Sequence, residues 1–172
     1  MRHVLLVGLP GAGKTTVGAR AAELLRGSFV DVDALIVRRM QMPIERIFGE
    51  RGESGFRQVE REVMAGVLAD DPSIVATGGG WAAQPGHLDA VRDRALSIYL
   101  RTAPATAARR IEGGPARPLL GGPGGTLERM NMLLKEREPF YLQADTEIVN
   151  DSKPLDIVAA ELVRMAKEFA DW

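Results

Sequence analysis

A chain of 172 residues, 45% hydrophobic and 26% charged, has the length of one domain, long enough to bury roughly 70% of its unfolded surface, and an ordinary globular composition. A net charge of −1 argues against a nucleic-acid protein held by bulk electrostatics, and the lack of cysteine excludes disulfides and thiolate metal sites. No apolar run approaches the roughly 20 residues that span a bilayer. The expectation is a single cytoplasmic domain over residues 1–172, monomeric, with no membrane or nucleic-acid partner.

Five apolar runs read as strands: His3–Val7, Ser28–Val32, Ser73–Ala76, Ala95–Leu100 and Glu147–Val149. Helical patterns alternate with them, which predicts an α/β fold with a parallel sheet covered on both faces. Phe56, Val59, Val63 and Val67 recur at helical spacing, as do Leu155, Val158, Leu162, Met165 and Phe169, and both stripes are assigned to the core.

The first strand leads directly into GLPGAGKT, Gly8–Thr15, which fits the phosphate-loop pattern G-x-x-x-x-G-K-[ST]. Gly11, Ala12 and Gly13 let successive backbone N–H groups curl around phosphate oxygens, and the helix that follows presents its positive end through Thr15 and Thr16. Lys14 reaches the β- and γ-phosphates of a nucleotide such as ATP, and the Thr15 hydroxyl is placed to ligate magnesium.

The second strand ends in FVDVDALI. Strand alternation would point Asp31 and Asp33 to one side, at the carboxyl edge of the sheet where ligands bind. Asp33 as the cap of a helix starting at Ala34 is the alternative. Further on, GESGFRQVERE puts Arg57 and Glu60 three apart on a helix, where a solvated surface pair is the ordinary reading. The third strand runs into Gly78, Gly79 and Gly80, bare backbone where phosphate-loop proteins usually carry an acid for the metal. Trp81 after them reads as packing. EGGPARPLLGGPGGT, residues 112–126, is a loop of lid length that carries Arg117, and KEREPFY puts Arg137 late in a helical stretch before Pro139. His3 is assigned to strand packing and His87 to a surface helix.

Taken together, GLPGAGKTTVG, FVDVD, IFGERGESGFRQVE, ATGGG, RPLL and REPFYLQAD resemble the shikimate kinases, small phosphate-loop kinases related to the nucleoside-monophosphate kinases. The resemblance covers nearly the whole chain. It implies a three-layer fold with a five-stranded parallel sheet, a substrate-binding segment at about 33–61 and a lid at about 112–126. The implied reaction moves the γ-phosphoryl of ATP to the 3-hydroxyl of shikimate, with magnesium, in aromatic amino-acid biosynthesis. By the same resemblance Asp33 takes the substrate hydroxyls and can act as base, Asp31 helps position magnesium, and Arg57 and Arg137 hold the substrate carboxylate. Arg117 is the lid arginine on the phosphates, Arg110 stacks near adenine, and the loop around Pro154 closes the adenine site. Glycines 78–80 then make sense, because a metal held from the neighbouring strand frees this one to approach the substrate.

Gln41, where the family usually has glycine, and Trp81 depart from the pattern and could reshape the acceptor pocket. A gluconate kinase would share the loop and sheet without DVD, GFR, TGGG and REPFY together. A non-enzymatic nucleotide-binding domain would be expected to lack Lys14, Asp33 or Arg117, and all three are present.

Overall fold

The computed structural model describes residues 1–112 and 125–172. Five strands, β1 (His3–Val7), β2 (Phe29–Asp31), β3 (Ile74–Ala76), β4 (Ala95–Arg101) and β5 (Thr146–Val149), form one parallel sheet in the order β2-β3-β1-β4-β5. Val4 and Leu5 align with Ile74 and Val75 on one side of β1, and with Leu96 and Ser97 on the other. Every residue of β1 is buried, as expected of a central parallel strand covered on both faces.

Side-chain alternation divides the core in two. Val4, Leu6, Ile98 and Ile148 face α1 (Lys14–Leu25) and α6 (Leu155–Ala170). Leu5, Val7, Val75 and Tyr99 face α2 (Val32–Met40), α3 (Ile44–Val67), α4 (Pro104–Glu112) and α5 (Gly125–Tyr141). The predicted α3 stripe, Phe56, Val59, Val63 and Val67, is buried throughout. The α6 stripe is buried only at Val158, Leu162 and Met165; Leu155 and Phe169, at its ends, are exposed.

The second strand is shorter than expected from Ser28–Val32. Val32 already belongs to α2, so Asp31 and Asp33 are not alternating strand residues. Asp31, not Asp33, is the cap: its Oδ1 accepts from the Ala34 N–H at 3.1 Å. Asp33 sits in the first turn of α2, where its negative charge favours the helix dipole. Residues 113–124, with Arg117 and most of the expected lid, lie outside the described residues. Glu112 and Gly125–Thr126, assigned to that loop from sequence, belong to α4 and α5. Helix α5 also runs two residues past Pro139.

Two backbone positions end α2 and bend α3. Gln41 ends α2 at φ 52°, a left-handed conformation that costs a non-glycine residue about 1 kcal/mol and suits glycine better. Within α3, Gly52 breaks the helix at φ 66° and ψ −178°, a combination open essentially to glycine alone. The break folds the first part of the helix back on the second, and the rings of Phe48 and Phe56 stack with centroids 4.5 Å apart.

His3 packs as expected, buried with its Nδ1 accepting from the Ser73 N–H at 3.2 Å. His87 is not on a surface helix. It is half-buried in a turn, with its ring 5.1 Å from that of Trp81. Burial holds its imidazole below the usual histidine range. Trp81 itself is a core residue.

Candidate active site

The phosphate loop leaves β1, the strand at which the chain's path divides to the two halves of the sheet. In open parallel sheets the carboxyl ends of strands at such a point form the ligand crevice. Gly13, at φ 91°, turns the chain into α1, whose N-terminus carries no side-chain cap. The first-turn N–H groups of Lys14, Thr15 and Thr16 therefore remain for an anion. Lys14 is buried along its stem and donates from Nζ to the carbonyls of Gly8 and Leu9, each at 2.9 Å. The ammonium is thus held over the hollow of its own loop.

Thr15 and Asp31 meet at the edge of this loop. The Thr15 hydroxyl donates to Asp31 Oδ2 at 2.6 Å, while the other carboxylate oxygen caps α2. One side chain thus joins the helix after the second strand to the helix after the first. On the far side of the loop, Arg110 donates to the carbonyls of Gly11 and Ala12 at 3.4 Å, and to those of Asn150 and Asp151 at 3.1 and 3.3 Å. Pro154 is exposed and directly precedes α6, a few residues beyond. Motif reading missed Asn150 and Thr102, which brace the loop by donating to the Ala12 carbonyl, Asn150 from its side-chain amide at 2.8 Å. No pattern in the sequence marks either one.

A cavity of about 230 Å³ opens beside Pro10 of the phosphate loop. Asp33, Arg57, Gly78, Gly79, Gly80 and Arg137, drawn from α2, α3, α5 and the turn after β3, all line it. Ile44, Phe48, Phe56 and Leu133 supply its apolar wall. Neither Gln41 nor Trp81 is among the lining residues.

The pairing of Arg57 with Glu60 is not the solvated surface contact that the spacing suggests. Arg57 Nη1 donates to Glu60 Oε2 at 2.7 Å, with side-chain exposures of only 11% and 1%. Two of the three adjacent glycines make this burial possible. A Cβ on Gly80 would lie 2.2 Å from Arg57 Nη2, and one on Gly78 would lie 2.7 Å from Glu60 Oε1 and 2.9 Å from Asp33 Oδ1. Bare backbone here thus admits the protein's own charged groups to the cavity wall, a second reason for the glycine run beyond approach to a ligand. Glu60 Oε1 and Arg57 Nε are buried with no hydrogen-bond partner among the described residues. They are polar atoms in the wall of a cavity that a polar ligand could satisfy.

Burial pushes the Glu60 carboxyl up, further than the guanidinium of Arg57 pulls it down. A raised folded-state pKa means the native protein keeps this proton to higher pH than the unfolded chain. The contribution of Glu60 to stability is then greatest below about pH 4.5, the ordinary value, and declines as pH rises through the raised one. Thermal melts should therefore show Glu60→Gln gaining on the parent as pH rises above about 4.5. Parallel melting curves would contradict the assignment.

The sequence profile of one family, described as shikimate kinase, matches residues 10–167. A shikimate kinase from Symbiobacterium thermophilum is 39% identical over 169 residues, 96% of this chain and 97% of the relative. One from Mycobacterium avium is 38% identical over 149 residues, 87% and 84% of the two chains. Among solved structures, the shikimate kinase from Acinetobacter baumannii in complex with shikimate superposes with a TM-score of 0.91 at 32% identity, covering 98% of this chain and 94% of that one. A gluconokinase from Sinorhizobium meliloti, at 19% identity and a TM-score of 0.68, shares the fold.

Proposed function

We propose how this chain, which belongs to the shikimate kinase family, carries out its reaction: transfer of the γ-phosphoryl group of ATP to the 3-hydroxyl of shikimate. The observation that carries the reading is the single cavity in which two arginines, Asp33 and the glycine turn converge against the phosphate loop.

A small carboxylated polyol asks for just this set. Its carboxylate is matched by the planar forks of Arg57 and Arg137, and its hydroxyls by Asp33 and the backbone N–H groups of the glycine turn. The phosphates of ATP lie on the α1 N-terminus, on the N–H groups of Gly11, Ala12 and Gly13, and on Lys14. Arg110 and the segment leading to Pro154 flank the adenine. Asp33 accepts the proton of the attacking hydroxyl as the oxygen bonds to the γ-phosphorus and the bond to the β-phosphate oxygen breaks, releasing ADP. Catalysis here is mostly alignment and charge neutralisation, so Asp33 needs no unusual basicity. Arg117 adds its charge to the phosphates from the segment between α4 and α5.

Thr15 and Asp31 present hard oxygen ligands side by side, a set that would suit magnesium. When bound there, the ion offsets charge on the β- and γ-phosphates. The protein works as a cytoplasmic monomer of one domain, with the acceptor held by the segment at 33–61 and by α5.

A coupled ADP-release assay with Mg-ATP, run with shikimate, quinate, gluconate or no acceptor, tests the reading. Rapid turnover confined to shikimate is expected. Turnover with gluconate instead, or with no acceptor, would overturn the acceptor assignment.

A further inference from the structure

Tyr141 is the last residue of α5 and is fully buried, one turn beyond Arg137. Its hydroxyl donates to the carbonyl of Gly79 at 2.5 Å, and the Arg137 guanidinium lies close enough to act on the phenol electrostatically. The directions of these contacts follow from the chemistry of the groups. A carbonyl can only accept, so the phenolic proton points at Gly79. A guanidinium can only donate, so Arg137 is suited to face the phenol at its oxygen. Burial keeps the phenol protonated, raising it above the ordinary tyrosine value. The polarity of these contacts therefore runs one way, from Arg137 through Tyr141 to Gly79.

Both ends of this relay line the acceptor cavity. At one end, the phenolic oxygen attracts the Arg137 guanidinium, which favours one orientation of its plane and leaves donors for a planar anion. At the other end, fixing the Gly79 carbonyl fixes the peptide that it shares with Gly80. That peptide is trans, so the Gly80 N–H points away from Tyr141. Among the described residues it has no backbone acceptor. One buried hydroxyl thus sets the orientation of a cation and of an amide donor that reach the ligand from different elements. Glycine at 79 and 80 has no side chain to resist peptide rotation, so without such a tie the turn would be among the softest parts of the wall.

We infer that Tyr141 is a positioning residue for the acceptor, locking Arg137 and the Gly79–Gly80 peptide into one binding geometry without touching the ligand itself. The inference rests on the proposed acceptor site, and the test separates the two.

Initial rates with shikimate and ATP varied independently, together with thermal melts, would be measured for Tyr141→Phe, Arg137→Ala and the double variant. Tyr141→Phe keeps the ring and removes only the hydroxyl. It is expected to raise the shikimate KM about tenfold while the ATP KM, kcat and melting temperature stay near the parent values. In the Arg137→Ala background the same change is expected to raise the shikimate KM less than threefold, because one end of the relay is already gone. An unchanged shikimate KM for Tyr141→Phe, an equal rise for ATP, or the full tenfold effect in both backgrounds would overturn the relay. If Arg137→Ala itself leaves the shikimate KM unchanged, the acceptor site is misassigned and the relay falls with it.

Discussion

Lys14→Ala is expected to lower kcat by about 10³-fold with ATP saturating. Nζ lies 2.9 Å from two carbonyls of its own loop, so the charge is in place before the nucleotide arrives and needs little reorganisation as negative charge shifts during transfer. A unit charge at about 4 Å, in an effective dielectric near 20, interacts by roughly 4 kcal/mol, and a loss of that size from the transition state alone is roughly the factor expected. The substitution also leaves the Gly8 and Leu9 carbonyls without their ammonium donor. A thermal melt must therefore accompany the rate measurement, to exclude partial unfolding as the cause. A folded Lys14→Ala protein with kcat within tenfold of the parent would remove Lys14 from the catalytic role.

Most of the architecture was legible because a parallel sheet buried on both faces writes its strands as uninterrupted apolar runs. His3–Val7 came through with its bounds intact, and the other four strands shifted by a residue or so at one or both ends. The junction at Asp31–Asp33 was misread for a local reason. FVDVD alternates as a strand would, but the helix begins at Val32, and a carboxylate at the end of the strand serves equally as its cap. The burial of Arg57 and Glu60 was not legible in their own neighbourhood, since an i, i+3 pair looks the same in water or in the core. Gly78 and Gly80, far along the chain, decide it by having no Cβ. Tyr141 was hidden in a similar way. In REPFY the arginine attracts attention, and the partner that fixes its direction is visible only once α5 is laid against the glycine turn. The six residues expected at the acceptor site each belong to a short motif, and the structure brings all six to one cavity. Asn150 and Thr102 belong to no motif and became visible only through the carbonyl of Ala12.

Arg57→Ala is expected to weaken acceptor binding by roughly 2–4 kcal/mol, about 30- to 1000-fold in the shikimate KM, with a much smaller effect on the ATP KM. The size follows from where the guanidinium sits. It is largely buried beneath Gly80, pairs with a carboxylate that water hardly reaches, and packs 5.4 Å over the ring of Phe56. A ligand carboxylate meeting it there exchanges little hydration for a strong, directed contact. The same burial gives the substitution a second consequence. Glu60 loses the partner that lowers its pKa, so its carboxyl is pushed further up and the fold loses stability as pH rises, by several kcal/mol if the charge stays unpaired. Arg57→Lys separates the two effects. A lysine ammonium can still neutralise Glu60 but lacks the planar fork, so stability should recover more than acceptor affinity. Shikimate and ATP KM values, measured with melting temperatures for both variants, decide the matter. An ATP KM that rises more than the shikimate KM would move Arg57 to the nucleotide side, and full recovery of acceptor affinity in Arg57→Lys would mean that a point charge, not a fork, is what the carboxylate requires.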